Sequence, residues 1–458
     1  MSIAEGRSHT FVLPPISVEN IKTSLSEPRY MVTLLGQGRR FMIAPKLAEL
    51  LIQMKEGKSV EEAADTLSAR WGCQISADDL RYIIEQQLVA KGMAYPADKA
   101  PANISSPAKM AAQVAEEAKK PLHERLLTGH FRLRLLKQKV VEKVCSPLTV
   151  AYEPLSVLLS LVMIIATRWM LYSSVQGRFL RQVILLFSPA EYLATLAGMV
   201  FVILIHEFGH ASAQMKFGLP AGAIGFQLYH YLPAFYTNVS ASWRLKPSRR
   251  VVVDVGGLYF QSIIASVIYL IYLKTGSFAL LAMVVASDSL CLIAINPFLR
   301  FDGYWLLSDA LGVPNLQKRS TAIIKQCWAR LRGRQADLAD VSQISGWRAI
   351  VVASYGVLKN GFWVLLVLLI LVKVPNLFAT ASTTALNFLS QAVEGLKAWD
   401  VFLATASVIR LVLFLLFVLT LGSMVGTLVL KLGRLARAAA ARLRFRQKTG
   451  ETIGTVRG

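Results

Sequence analysis

The stretch Phe201–Gln214, FVILIHEFGHASAQ, sets two histidines and a glutamate among aliphatic and small residues. Residues four apart share a helix face, so His206 and His210 project together, while Glu207, turned by about 100°, reaches a water held at the same place. An ionisable group inside an apolar segment costs a few kcal/mol and needs a compensating role. The HExxH spacing supplies one, because two neutral imidazoles ligate Zn²⁺ and the carboxylate between them serves as a base.

The surrounding chain is apolar as well. It has 458 residues, 54% of them hydrophobic and only 17% charged, with a mean hydropathy of +0.47. Long apolar blocks lie at 155–174, 190–216, 251–273, 278–296, 349–373 and 401–430. Each is near or above the ~20 residues that cross a ~30 Å hydrocarbon core, which predicts a polytopic α-helical membrane protein with about six spans. The opening MSIAEGRSHTFVLPPISVEN has no basic end followed by an apolar core, so no signal peptide is visible and the N-terminal region is expected to stay in the cytoplasm. Cys73, Cys145, Cys291 and Cys327 show no CxxC spacing, which argues against a disulfide framework or a thiolate metal site.

The formal net charge of +22 would suit a nucleic-acid binder, yet its placement follows membrane topology instead. Lys and Arg gather before the first block (Arg132 to Lys143), between the second and third (Arg244 to Arg250), between the fourth and fifth (Arg300 to Arg334) and after the sixth (Lys431 to Arg446). The alternate connections hold only Arg178, Arg181, Lys274 and Lys397. By the positive-inside rule both termini are expected on the cytoplasmic side; the expected bilayer is a bacterial-type inner membrane, and nucleic acid is not an expected partner. The tail at 431–458 is basic enough to lie on anionic headgroups.

Residues 28–96 read as a separate cytoplasmic unit. RYMVTLLGQGRRFMIA suggests two strands about a turn, and three helical patterns follow, two of them opened by the capping boxes Ser59/Glu62 and Ser76/Asp79. Residues 1–27 are an N-terminal extension, and 97–149 join a Pro/Ala/Ser-rich linker to a basic juxtamembrane segment ahead of a membrane domain at 150–430. The strand-pair and three-helix order resembles the PqqD-like peptide-recognition domain, an α+β winged-helix-like unit. That resemblance implies a leader peptide that docks on 28–96 as an added strand; the alternative is a generic winged-helix-like docking domain.

Two histidines leave a tetrahedral zinc short of a protein ligand, and two carboxylates compete to complete it. Asp288 lies mid-way along the fourth block; Asp302, in NPFLRFDG, follows it, beyond the helix break expected at Asn296–Pro297. His206 is 17 residues past Pro189, about 25 Å along the helix, so it and the end of the fourth block lie at similar depth, which favours Asp302. Gly222–Trp243 is too polar to span and suggests a hairpin or re-entrant segment over the cleft, whose strand edge would hold a peptide extended. Gln261 is placed to donate to a developing oxyanion or to bond between helices; Gly256 and Gly257 suit close helix approach; His230 reads as interfacial packing; Asp254 faces headgroups; and Arg410 snorkels.

At these residues the chain resembles the site-2-protease-type intramembrane zinc metallopeptidases. LPAFYTNVSASWRL, GGLYFQ and NPFLRFDGYWLLSDALGVPNL are similar to the bacterial peptide zinc metalloprotease branch associated with peptide maturation and export. The resemblance spans about residues 190–316. It implies a zinc-dependent endopeptidase acting on a membrane-embedded or membrane-delivered peptide or protein, with His206, His210 and Asp302 as zinc ligands, Glu207 as general base and an export machinery as a possible partner. Asn238 stands where that branch often has an acidic residue, Gln261 where it often has Glu or Asn, and these two with Asn296 are candidate cleft residues. The alternative is a non-hydrolytic subunit of an export system with a structural zinc site; metal transport would need ionisable groups spread along a pathway.

Overall fold

The chain begins with a small mixed unit in the computed structural model, which describes residues 11–21, 28–34, 40–97, 132–174, 188–229, 231–333, 344 and 346–454. Strands β2 (Ile16–Ile21), β3 (Arg29–Leu34) and β4 (Arg40–Ile43) form an antiparallel sheet in that order, and β1 (Phe11–Val12) pairs with β5 (Tyr95–Pro96). Helices α1 (Pro45–Lys55), α2 (Val60–Trp71) and α3 (Ala77–Ile83) cover the sheet, and Val32, Leu34, Leu50, Leu51, Leu67 and Leu80 are buried between the layers. Ser59 and Ser76 cap α2 and α3 with the expected reciprocal bonds to Glu62 and Asp79. The sheet starts earlier than residue 28: the stretch read as an N-terminal extension supplies β1 and β2, because Phe11, Leu13, Ile16 and Val18 pack into the same core. Most of the linker, residues 98–131, lies outside the described residues.

The rest is mainly helical. Strand β6 (Arg132–Leu136) and helix α4 (Gln138–Leu148) lead into α5 (Pro154–Ser174) and α6 (Pro189–Lys216). A hairpin of β7 (Ile224–Tyr229) and β8 (Leu232–Thr237) follows, then α7 (Pro247–Thr275), α8 (Phe278–Ala294), α9 (Asp302–Leu311), α10 (Leu316–Leu331), α11 (Trp347–Lys397) and α12 (Val401–Gly454). Among the described residues five helices, α5, α6, α7, α11 and α12, are long and apolar enough to cross a membrane. The fourth expected span is α8, apolar but only 17 residues long. Where a crossing of 349–373 was expected, α11 runs for 51 residues, about 77 Å at 1.5 Å per residue, with Pro375 inside it. The outward faces of α5, α11 and α12 expose Leu, Val, Ile and Trp, the surface a helix offers to lipid.

Small residues bring the central helices together. A side chain at Gly209 of α6 would overlap the carbonyl of Gly256 on α7, and a Cβ at Gly256 would stand 2.7 Å from the Gly209 carbonyl oxygen. An ion pair ties α5, α7 and α8: Arg168 donates from Nη2 to Asp288 Oδ1 at 2.7 Å and from Nη1 to Ser266 Oγ at 3.1 Å, and Tyr172 donates to Asp288 Oδ2 at 2.9 Å. Asp288 is therefore spoken for by Arg168, a partner the sequence reading had not paired with it. Arg410 lies over the Tyr192 ring at 4.4 Å, which gives that cation a partner beyond snorkelling.

Candidate metal centre

Helix α6 carries His206, Glu207 and His210, each less than a tenth exposed. The Nε2 atoms of the two histidines face each other at 3.1 Å. Asp302 Oδ2 lies 3.0 Å from His206 Nε2 and its Oδ1 lies 3.6 Å from His210 Nε2. Donors bonded to one tetrahedral zinc at ~2.0–2.1 Å stand about 3.3 Å apart, so this triangle has the size the ion requires. These three side chains form the one group of potential metal ligands found among the described residues, their ligand atoms all within 4.8 Å of one another. Asp288 is not part of it.

Local sequence explains how Asp302 reaches the pair. Asn296 Oδ1 accepts the Phe298 N–H at 2.9 Å, an Asx turn that redirects the chain where α8 ends. Gly303 then permits the return, because a Cβ there would overlap the Ile295 carbonyl. Asp302 opens α9, where the free N–H groups and the helix dipole favour a carboxylate. Deeper in the helix, Asp309 makes an ion pair with Arg250 of α7, Oδ1 to Nε 2.9 Å. Arg250 was read as a loop charge; it is 1% exposed, and its guanidinium also lies 4.8 Å from the Trp243 ring centre. Asp254, expected at the headgroups, lies beside Asp309 instead, with its Oδ2 buried.

Helix α7 backs the histidines without contributing a ligand. Val253, Gly257 and Gln261 recur at intervals of four and share the face turned to α6. His210 Nδ1 donates to the Val253 carbonyl at 2.8 Å, and His206 Nδ1 pairs with Gln261 Oε1 at 2.7 Å. With Nδ1 carrying the proton on each neutral ring, both Nε2 lone pairs face the centre, the orientation a cation needs. Between the two acceptors Gly257 keeps a cradle open: a Cβ there would sit 2.5 Å from His206 Nε2 and as close to His210 Nε2. The donor set, its spacing and this cradle fit zinc.

Glu207 is fixed from above by the hairpin. Thr237 Oγ1, at the end of β8, lies 2.7 Å from Glu207 Oε2 and donates to it. The expected hairpin at 222–243 exists, and β6, from the segment read as juxtamembrane, extends it to three strands in the order β6-β7-β8. Strand β8 pairs with β7 alone among the described residues, so no strand lies on its other edge. Asn238 lies in the turn after β8, where Oδ1 accepts the N–H and hydroxyl of Ser240. Asn238 and Asn296 thus shape turns, whereas Thr237, beside Asn238, touches the carboxylate. His230 and the side chains of Lys431, Leu432 and residues 434–458 lie outside the described residues.

Comparison with known proteins agrees in kind with this centre. Over 121 residues the chain is 29% identical to the Bacillus subtilis (strain 168) protein named "Putative peptide zinc metalloprotease protein YydH". The match takes in 26% of this chain and 48% of the relative, so the similarity spans about half of that protein's length. No protein-family profile matches the sequence, and no solved structure matches it.

Proposed function

We propose that this chain is an intramembrane zinc-dependent endopeptidase that hydrolyses a peptide bond of a membrane-embedded or membrane-delivered peptide or protein. The observation that carries the reading is the triangle of His206, His210 and Asp302 donors, 3.0–3.6 Å on a side, with the buried Glu207 next in sequence to the first ligand. Zinc held there would polarise the scissile carbonyl and lower the pKa of a water. Glu207 takes the proton of the attacking water and passes it to the leaving amine, a transfer that contributes about 10²–10⁴ in rate. Thr237 holds one carboxylate oxygen and so fixes the orientation of the group. A peptide added along the unpaired edge of β8 would lie extended, its carbonyls no longer hidden in a helix.

In this reading both termini are cytoplasmic and the unit at 11–96 recruits the substrate, with a leader peptide as its ligand and an exporter downstream. The similarity to a protein named as a peptide zinc metalloprotease supports the class of reaction. The test compares the membrane peptidome of cells carrying the wild-type chain with that of cells carrying Glu207→Gln. Products present only with the wild type are expected, together with equal zinc content of the two purified proteins. Unchanged cleavage by Glu207→Gln would sink the assignment of the base, and equal peptidomes with zinc bound would favour a non-hydrolytic export subunit.

A further inference from the structure

Gln261 is 3% exposed and stands on α7, between the ligand helix α6 and the apolar helix α8. As an oxyanion donor it would have to aim its NH₂ group at the cleft. Instead, its Nε2 lies 3.0 Å from the Ser287 carbonyl and 3.2 Å from the Ser287 hydroxyl, both on α8, while its Oε1 lies 2.7 Å from His206 Nδ1. The assignment of amide oxygen and nitrogen follows from chemistry. A backbone carbonyl has no hydrogen to give, so the NH₂ must face Ser287 and the oxygen must face His206. Turned over, the amide would set its oxygen against the Ser287 carbonyl oxygen in a site where Ser287 is wholly buried, and that bond would be lost.

That orientation dictates the imidazole. A ring nitrogen facing an acceptor carries the proton, so the neutral His206 keeps its lone pair on Nε2, toward His210 and Asp302. His210 obtains the same result from the carbonyl of Val253, which no substitution removes. His206 depends on a side chain. Gln suits the position because one neutral amide both accepts from His206 and donates to Ser287. Asn, shorter by one ~1.5 Å bond, would not reach both.

We propose that Gln261 is a positioning residue for the metal centre: with its amide locked by Ser287, it sets the tautomer and the ring angle of His206, and it does not donate to the substrate. This rests on the reading of the triad as a zinc site and goes beyond it by giving Gln261 a role in holding the metal.

The experiment uses the full chain purified in detergent, with zinc affinity measured by competition against a chelating dye and the ligand field read from the visible bands of bound Co²⁺. Gln261→Leu and Gln261→Met, which remove the acceptor, are expected to weaken zinc 10–100-fold and alter the Co²⁺ bands. Gln261→Glu, which still accepts from Nδ1 but sets its second oxygen against the Ser287 carbonyl, is expected to lose less zinc affinity than Gln261→Met. Should the leucine variant fail to fold, the more flexible methionine carries the same test. Wild-type zinc affinity in Gln261→Met with a loss confined to kcat would overturn the proposal in favour of a substrate-facing donor. A loss in Gln261→Glu as large as in Gln261→Met would overturn it too. Failure of the underlying reading looks different: the wild-type chain would bind no zinc, or would bind it equally well after His206→Ala.

Discussion

Substituting Gly257 by alanine tests the centre at a residue that ligates nothing. Its backbone is helical, so the new methyl brings no strain of its own, and at an open helix position the change would favour the helix by about 1 kcal/mol. Here the added Cβ stands 2.5 Å from His206 Nε2 and similarly close to His210 Nε2, about 0.9 Å inside the 3.4 Å of ordinary contact. The rings must retreat from α7. A retreat of that size stretches the 2.7 Å bond from His206 to Gln261 toward about 3.6 Å, beyond hydrogen bonding. The 2.8 Å bond from His210 to Val253 fails in the same way. Each lost orienting bond weakens metal binding about 10–100-fold, so the pair predicts about 10²–10⁴, or roughly 2.7–5.5 kcal/mol. Competition titration of the full chain against a zinc-chelating dye reads this directly, and Gly361→Ala, whose Cβ meets nothing within 4 Å, serves as the control. A Gly257→Ala protein that folds and binds zinc within threefold of wild type would refute the cradle and the geometry built on it.

Three further outcomes are expected. Thr237→Val, which removes the hydroxyl on Glu207 Oε2 but keeps the shape, should leave zinc content unchanged and lower turnover about 10-fold, since a hydrogen bond to a charged group is worth ~1.5–3 kcal/mol; wild-type kcat would count against it. Asp288→Ala strands Arg168 between helices and should destabilise the fold by about 3–5 kcal/mol, whereas Arg168→Met with Asp288→Leu should come out near neutral; thermal unfolding in detergent separates the two, and a milder single than double variant would contradict the pairing. Burial pushes the Cys145 thiol up to about 12, so at pH 8 only about one in 10⁴ is thiolate, and maleimide should label the exposed Cys73 and Cys327 while sparing Cys145; equal labelling would mean that the packing of α4 on α6 is wrong.

What could be read in advance followed from strong, local signals. HExxH sets two histidines on one helix face, and NPFLRFDG announces a helix end followed by a carboxylate, so the three side chains that the fold brings together could be named from the sequence. Apolar blocks of 17 or more residues fixed the helices, yet not their ends: Pro375 leaves α11 unbroken, because nothing in a linear pattern tells whether neighbouring groups satisfy the freed carbonyl. Strand β2 was missed since ISVENI is short, half polar and set behind two prolines, and its pairing with β3 is a tertiary fact. Strand β6 hid for the same reason, its partner lying about 90 residues away. Charge was the most misleading cue. Arg168 and Arg250 look like ordinary basic residues in sequence, and only their neighbours reveal that one holds Asp288 and the other Asp309.

The helix that organises the centre is the one with no ligand on it. Along α7 the positions Val253, Gly257 and Gln261 present acceptor, gap and acceptor to the two imidazoles of α6, at the same four-residue spacing that HExxH uses. Acceptors eight residues apart on α7 bracket histidines four apart on α6, so each imidazole has its own acceptor, and the close approach that requires is granted by Gly209 and Gly256, the neighbours of His210 and Gly257. Arg250 and Asp309 then fasten α7 to α9, two turns below the carboxylate of Asp302. A side chain large enough to fill any of these gaps would separate the donors while leaving every ligand in the sequence. Screening this chain for loss of zinc should therefore find α7 substitutions at Gly256 and Gly257 alongside those at His206, His210 and Asp302. A screen that returned ligand positions alone, with both glycines freely replaced by leucine, would show that the spacing of α6 and α7 does not control the site.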